Sequence, residues 1–299
     1  MKAGELARFA ADKSHFASLA DYIEFCRRFM GFVAGGGMQG TIVSLNENHY
    51  QFYQYRKDGG FKVSRPFNTN LMYAPGDEKT VSDEFPKLLA NAHEIKADDR
   101  KSRGIIGKSI YTIQQSIGIA LDAHVQSNTA RKIAGDLFER FIRLLVAKMG
   151  VDCRSGTVNI PVVVQGIEEF KMSYQHDLVI RQNGQLKVLG SVKTSSKDRL
   201  DKIFIDKFLY SKLTDTQLPH VAIFLNDVQR KGKHPRYGIN ATFLPGHFKG
   251  YSIKLNPLDG VYYCDLRPNM TSDAYLATQI HSIDRFLCDD LWEFLAAKK

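Results

Sequence analysis

The sequence predicts an α/β fold with a mixed central β-sheet flanked by helices. From residue 127 onward the segments follow in the order helix, strand, hairpin, helix, strand, which is typical of a sheet with helices on its faces. The hairpin is the clearest element, because two β-rich runs in 176–194 flank Asn183-Gly184, the strongest short turn signal. The helix at 127–150 is the second indication, since its apolar residues recur at helical spacing.

The first 104 residues predict an N-terminal α+β region. Residues 1–34 have apolar residues at roughly helical spacing, and 41–66 contain strand-like runs separated by a Gly-containing turn. Residues 74–104 are charged and mixed, which indicates a connector with one short helix. We assign this region to DNA recognition or dimer contacts. Residues 105–299 form the core with a C-terminal elaboration, and the two regions are either separate or one continuous domain.

Helices and strands alternate in the second part of the chain. The predicted elements after the connector are a helix at 109–125, the helix at 127–150, a strand at 157–164, the hairpin, a helix at 198–213 and a strand at 220–227. The segment 228–268 is rich in turns and basic residues, with strand pieces predicted near 251–255 and 261–266. The last 28 residues are predicted to be helical.

The composition limits the functional classes. The 299 residues carry a formal net charge of +9, and such a field attracts nucleic acid, anionic membranes or acidic proteins. Four widely spaced cysteines exclude a CxxC zinc motif and a disulfide scaffold. The N-terminus is too polar for a signal peptide, and no apolar run approaches the roughly 18 residues of a membrane span. We therefore expect a soluble cytoplasmic protein.

A carboxylate and a lysine are predicted to meet at one end of the hairpin. Asp177 begins one strand and Lys193 ends its partner. With the turn at 183–184, residues 177 and 190 are expected to lie roughly opposite each other. Such a pair suits a metal-dependent phosphodiesterase, in which a carboxylate holds Mg²⁺ to activate water and neutralise phosphate charge. The lysine would orient or activate the water, or stabilise developing charge.

A Mg²⁺ site usually contains a second carboxylate, but the residue two positions before Lys193 is Ser191. Asp206, on the following helix, is one candidate, because 100° per residue places it away from the apolar side of that helix. Glu139, within the preceding long helix, is another. A structural role is the alternative for each, such as an i,i−4 pair between Asp206 and Lys202.

Three segments together resemble the PD-(D/E)XK nucleases. They are GDLFERFIRLLVAKMG, HDLVI, and GSVKTSSKDR followed by an aspartate, all within residues 127–227. The resemblance implies a PD-(D/E)XK restriction-endonuclease-like core, in which Asp177 is the strand aspartate and residues 191–193 occupy the (D/E)XK positions. In such enzymes the helix glutamate that matches Glu139 is often a ligand of a second metal.

The serine at position 191 resembles one branch of type II restriction endonucleases, which cut at sites with a CC…GG core (CCGG, CCNGG or CCWGG types). In that branch the carboxylate comes from the following helix, about thirteen or fourteen positions after the lysine. Asp206 lies thirteen positions after Lys193, although the branch has glutamate there. The resemblance therefore implies that Asp206 supplies the carboxylate that Ser191 lacks.

The same branch reads DNA with a basic–acidic–basic cluster after the lysine, and this cluster is matched by Lys197, Asp198 and Arg199. Lysine and arginine donate to guanine O6 and N7, and an acid accepts from cytosine N4. A capped first helical turn is the alternative interpretation. Arg230 and Lys231 follow the strand at 220–227 and are assigned to phosphate contacts, with a solvated turn as the alternative.

The resemblance implies a homodimeric, Mg²⁺-dependent type II restriction endonuclease that cuts double-stranded DNA at a palindromic site, with a higher oligomer as an alternative. Asp177, Asp206 and Glu139 would hold metal, and Lys193 would serve the attacking water. A cognate DNA methyltransferase would share the site without needing to bind. Two rival hypotheses are a repair or recombination nuclease that recognises DNA structure, and a non-catalytic DNA-binding protein with this fold.

Overall fold

The computed structural model describes residues 2–57, 60–197 and 199–297. Its helices are α1 (Ala3–Ala11), α2 (Leu19–Ala34), α3 (Phe85–Ala90), α4 (Arg100–His124), α5 (Ser127–Lys148), α6 (Leu200–Thr214), α7 (Pro245–Lys254), α8 (Pro268–Thr271), α9 (Ala274–Ala277), α10 (Ile283–Arg285) and α11 (Leu291–Ala296). Its strands are β1 (Gly40–Val43), β2 (Tyr50–Lys57), β3 (Gly60–Val63), β4 (Phe67–Asn68), β5 (Asp152–Val164), β6 (Ile167–Gln182), β7 (Gln185–Ser195), β8 (His220–Asn226), β9 (Val228–Lys233), β10 (Arg236–Ala241), β11 (Gly260–Tyr263) and β12 (Ile280–Ser282).

The central sheet has the strand order β12-β11-β8-β7-β6-β5. Strands β5, β6 and β7 pair antiparallel, whereas β7, β8, β11 and β12 pair parallel. Helices α4 and α5 pack on one face, and α6 and α7 pack on the other. The predicted fold class, a mixed sheet flanked by helices, is confirmed.

Strand β8 shows why the sheet lies at the centre of the molecule. All of its residues are buried, as expected for a parallel strand covered on both faces. Val221 and Ile223 join the hydrophobic cluster that contains α5. Ala222 and Phe224, which point to the opposite face, join the cluster that contains α6.

The β6–β7 hairpin turns at Asn183-Gly184, and both residues have positive φ (52° and 78°), as a type I′ turn requires. The register differs from the expected one by a single residue. Gln182 pairs with Gln185, but Leu178 pairs with Gly190, because Lys187 is an extra residue in β7. Continuing this register places Asp177 level with position 191 instead of 190.

A second irregularity lies at the site itself. In the β5–β6 ladder Arg154 pairs with Val179 but Gly156 pairs with His176, so β6 has an extra residue at 177–178. Simple alternation therefore does not fix the direction of the Asp177 side chain. The expectation that residues 177 and 190 lie opposite each other is wrong, because Gly190 pairs with Leu178.

The N-terminal region packs directly on the core. One hydrophobic cluster includes residues from Leu6 to Leu295, and the long helix α4 lies inside it. The buried Tyr50 hydroxyl donates to Asp265 Oδ2 at 2.7 Å, and Asn68 Nδ2 donates to Asp265 Oδ1 at 3.0 Å. The two predicted regions therefore share one core, and the boundary at residue 104 stays a prediction.

Two local predictions are wrong. The segment 251–255 is predicted as a strand but belongs largely to helix α7, which begins at Pro245 and buries Phe248 and Ser252. Those two residues are four positions apart and lie on one helical face. The last 28 residues are predicted to be helical but include strand β12, which pairs in parallel with β11. Residues 1–34 are helical as predicted, in two helices, and a capping box of Ser18 and Asp21 starts α2. Within the described residues, the helices are too short or too polar to cross a bilayer.

Candidate active site

Three predicted site residues meet at the end of the β6–β7 hairpin. Lys193 Nζ donates to Asp177 Oδ2 at 2.6 Å and to Glu139 Oε1 at 2.9 Å. The three side chains are partly buried, with 31% of Lys193, 14% of Asp177 and 25% of Glu139 exposed. The ammonium group therefore lies between two carboxylates that remain accessible from solvent.

Each of the three side chains is held by a different element. Lys193 projects from β7, Asp177 from β6 and Glu139 from the middle of α5. The backbone N–H of Val192 donates to Asp177 Oδ2 at 2.8 Å, and Arg143 Nη1 of α5 donates to the Asp177 carbonyl at 3.1 Å. Helix α5 and the hairpin are thus fixed to each other at the site.

Burial and charge act in opposite directions on this cluster. Burial lowers the pKa of Lys193, but the charges and hydrogen bonds of Asp177 and Glu139 outweigh it, and the net pKa lies above its ordinary value. Burial raises the pKa of Glu139, and the hydrogen bond from Lys193 only partly opposes this rise. Lys193 is therefore a firmly protonated cation in this arrangement.

Asp206 lies outside the three-residue cluster. It projects from α6 and forms an ion pair with Lys202 one turn earlier, which is the structural alternative considered for it. It is close enough to His176 that its charge opposes the lowering of the pKa of that histidine by burial. Since His176 precedes Asp177, Asp206 lies near the part of β6 that carries the cluster, and its role as a metal ligand stays a prediction.

The carboxylates suit Mg²⁺, which is commonly held by one or two carboxylates together with water and substrate phosphate. Asp177 and Glu139 already share one cation, the Lys193 ammonium. Asp177 Oδ1 and Glu139 Oε2 accept no hydrogen bond from the described residues. Within that part of the chain, no group of three or more acidic, His or Cys side chains is close enough to form a complete protein cage for a metal.

A cleft of about 1050 Å³ leads to the cluster and is lined by Glu139 and Lys193. Its wall includes the first half of α5, the end of β7, the start of β9 and the segment 61–66 of the N-terminal region. Of its described charged residues, eight are basic and three are acidic; the basic ones are Lys62, Arg65, Arg131, Lys132, Lys193, Lys197, Arg199 and Arg230. Such a basic cleft attracts a polyanion.

The predicted DNA-reading residues lie at different places in this cleft. Lys197 and Arg199 line it just beyond the end of β7, and Lys197 Nζ donates to Gln229 Oε1 at 3.4 Å. Asp198 lies outside the described residues. Arg230 also lines the cleft, but its Nη1 donates to the Val63 carbonyl at 2.7 Å.

The sequence prediction missed the contribution of the N-terminal region to this cleft. Arg65 forms a bidentate pair with Asp122 of α4, at 2.9 and 3.0 Å, and both residues line the cleft. The Arg65 side chain crosses α4 at Gly118, where a Cβ would come within 2.4 Å of Arg65 Nη1. The basic residues Arg131 and Lys132 at the start of α5 were a sequence signal for a basic cleft. Arg65 and Asp122 are too far apart in the sequence for their ion pair to be predicted.

Comparison with known proteins gives structural likeness alone. The crystal structure of the type IIP restriction endonuclease Kpn2I aligns over 98% of this chain and 97% of that chain, with a TM-score of 0.73 and 16% sequence identity. The complex of the restriction endonuclease PspGI with substrate DNA aligns over 73% of this chain and 90% of that chain, with a TM-score of 0.39 and 13% identity. No protein-family model and no curated protein matches the sequence. The Kpn2I likeness shows that the whole chain, including its N-terminal region, has a restriction-endonuclease fold.

Proposed function

We propose that this protein is a Mg²⁺-dependent type II restriction endonuclease that hydrolyses double-stranded DNA at a specific site. The observation that carries the proposal is the Lys193–Asp177–Glu139 cluster, which opens into a basic cleft. A lysine between two accessible carboxylates matches the chemistry of phosphodiester hydrolysis. The restriction-endonuclease fold supports the choice of duplex DNA as substrate.

The cluster gives each residue a distinct role in this proposal. Asp177 and Glu139 would hold Mg²⁺, and Asp206 would complete the ligand set from α6. When bound, the metal would supply a nucleophile and neutralise charge on the scissile phosphate. Because Lys193 is firmly protonated, we assign it to orient the attacking water and to stabilise the charge that develops on the phosphate, instead of acting as the base.

Sequence recognition is assigned to the residues that follow the cluster. Lys197, Asp198 and Arg199 would read base edges of a CC…GG core in the major groove. Arg230 and Lys231 would contact phosphates, which position the protein without reading sequence. The location of Lys197 and Arg199 in the wall of the cleft supports this assignment.

We further propose that the protein acts as a homodimer in the cytoplasm. A two-fold symmetric dimer matches a palindromic site, and each subunit would cut one strand. A cognate DNA methyltransferase would modify the same site without binding the nuclease.

Digestion of a phage genome with MgCl₂, followed by sequencing of the ends, tests the proposal. Discrete fragments that share one end sequence are expected. Fragments with random ends, or cleavage only at nicks and branches, would instead identify a nuclease that recognises DNA structure. An inactive protein that still binds duplex DNA would identify a non-catalytic relative.

Point variants then test the assigned roles. Asp177→Ala and Lys193→Ala should abolish cleavage while retaining specific DNA binding in Ca²⁺, and full activity in either variant would overturn the assignment. Asp206→Ala should also abolish cleavage. Normal cleavage by that variant would show that Asp177 and Glu139 suffice, and that the ion pair with Lys202 is the role of Asp206.

A further inference from the structure

Strands β9 and β10 form a separate two-stranded ribbon. Its base lines the cleft through Val228, Gln229, Arg230 and Tyr237, whereas residues 231–236, which we call the ribbon tip, lie outside the cleft lining. All residues of the ribbon tip are exposed. The ribbon therefore begins in the cleft wall and leaves it.

The ribbon tip contains basic residues and no acidic ones. The sequence contains no Asp or Glu between Asp227 and Asp259, so acidic neighbours along the chain are absent. Lys231, Lys233 and Arg236 form no ion pair within the described part of the chain, in contrast to Lys249, which pairs with Asp273. Their charges are therefore available to an external polyanion.

The base of the ribbon is fixed on the N-terminal sheet. The Leu45 N–H donates to the Tyr237 carbonyl at 3.0 Å. Asn46 bonds both backbone groups of Ile239, at 2.9 and 3.0 Å. Arg230 donates to the Val63 carbonyl and lies over the Tyr237 ring at 5.4 Å. These contacts set the direction of the ribbon before any ligand binds.

We propose that the ribbon tip binds the phosphates of duplex DNA that flanks the segment held in the cleft. This inference rests on the proposed function, because it takes duplex DNA as the substrate. Lys233 lies three residues beyond Arg230, which corresponds to about 10 Å along a strand. At 3.4 Å per base pair, this length equals roughly three base pairs of duplex.

Binding of flanking DNA by the ribbon tip would not depend on the base sequence. Lysine and arginine bind phosphate oxygens, which are the same at every base pair. Each neutralised phosphate adds about 0.9 to the slope of log affinity against log salt concentration. Arg230, at the base of the ribbon, also fixes the ribbon to the end of β3, since its guanidinium donates to the Val63 and Ser64 carbonyls.

Binding to mixed-sequence duplexes of 8 to 30 base pairs tests this inference in metal-free buffer. The test variant is Lys233→Gln/Arg236→Gln, two residues of the tip. The matched control is Lys101→Gln/Lys148→Gln, which removes the same charge from exposed positions outside the cleft lining. Affinities are compared at several salt concentrations after correction for the number of binding registers.

The test variant should equal the wild type on the shortest duplexes and bind long duplexes roughly 10–100-fold more weakly at 0.1 M salt. Its salt slope on long duplexes should fall by about 1.8 per protomer. The control variant should show no dependence on duplex length. Equal affinity of the test variant and the wild type at every length would overturn the inference, as would an equal loss at every length.

The same measurements separate this inference from the proposed function. If the protein cleaves no DNA but the affinity loss of the test variant depends on duplex length, the proposed nuclease function is contradicted. The ribbon tip is then still supported as a DNA-binding surface. Protein that cleaves at a specific site but whose test variant binds all lengths normally would contradict the ribbon tip alone.

Discussion

Replacing Lys193 with methionine removes the ammonium group that lies between Asp177 and Glu139. Methionine retains the length and the apolar stem of the side chain, so the main change is the loss of charge. The Asp177 and Glu139 carboxylates then face each other without the cation that they share. We expect the metal-free variant to be less stable than the wild type near pH 7.5.

The magnitude follows from the partial burial of the cluster. Removing one partner of a fully buried ion pair costs about 3–5 kcal/mol, whereas exposed pairs contribute about 0–1 kcal/mol. Exposed fractions of 14–31% place this cluster between the two cases, so a loss of about 2 kcal/mol is expected. For a chain of this size, such a loss corresponds to a decrease in Tm of about 4 °C.

Thermal unfolding with and without CaCl₂ provides the assay. A divalent cation can replace the missing ammonium between the carboxylates, so 10 mM CaCl₂ should stabilise Lys193→Met more than the wild type. A site with a Kd of about 1 mM would restore about 1.4 kcal/mol at this concentration. Lowering the pH should also reduce the loss, because burial raises the pKa of Glu139 and its protonation removes one of the two facing charges.

Lys13→Met is the matched control, since Lys13 pairs with Asp136 at 2.9 Å in an exposed position. It should change stability by less than about 1 kcal/mol and should show no response specific to the cation. The reasoning would be refuted if Lys193→Met were as stable as the wild type in metal-free buffer, or if CaCl₂ stabilised both proteins equally.

Three further predictions address cleavage, the cleft wall and pH. Glu139→Gln should lower single-turnover cleavage by about 100-fold or more with DNA binding retained; a change below threefold would contradict its role as a metal ligand. Arg230→Met should lower the free energy of unfolding by about 2 kcal/mol through its lost bonds to backbone carbonyls, and unchanged stability in urea titrations would contradict this. Burial raises the pKa of Asp265 to about 6, so its contribution to stability is present below about pH 4 and lost as the pH rises through 6. As the pH rises from about 4 to above 6, the free energy of unfolding of the wild type should therefore fall by about 3 kcal/mol relative to that of Asp265→Asn. A parallel pH dependence of the two proteins would contradict this prediction.

The sequence predicted the hairpin well because its turn is a local feature. Asn183-Gly184 specifies the turn through the positive φ of both residues. The extra residue Lys187 in β7 has no comparable local signature, since a bulge is stabilised by packing across the sheet. The meeting of Asp177 with Lys193 was therefore predicted from a register that the structure corrects.

The position of Asp206 shows a second limit of sequence patterns. The buried face of helix α6 includes the polar residues Lys207 and Ser211, whereas Ile205 is exposed. Helical spacing then gives no single apolar stripe from which to predict the direction of the other side chains. The Arg65–Asp122 pair shows the same limit over a longer range, since only the packed core brings 65 and 122 together.

The hydrogen bond between Tyr50 and Asp265 links residues 215 positions apart, so it cannot form until most of the chain has been translated. A chain emerging from the ribosome exposes the N-terminal sheet long before Asp265 has been translated. The Tyr50 hydroxyl, buried in the finished protein, must until then remain hydrated or bonded elsewhere. We therefore expect chains that end before residue 265 to stay open and prone to aggregation, so that the last strands of the sheet complete the folding of the first residues made.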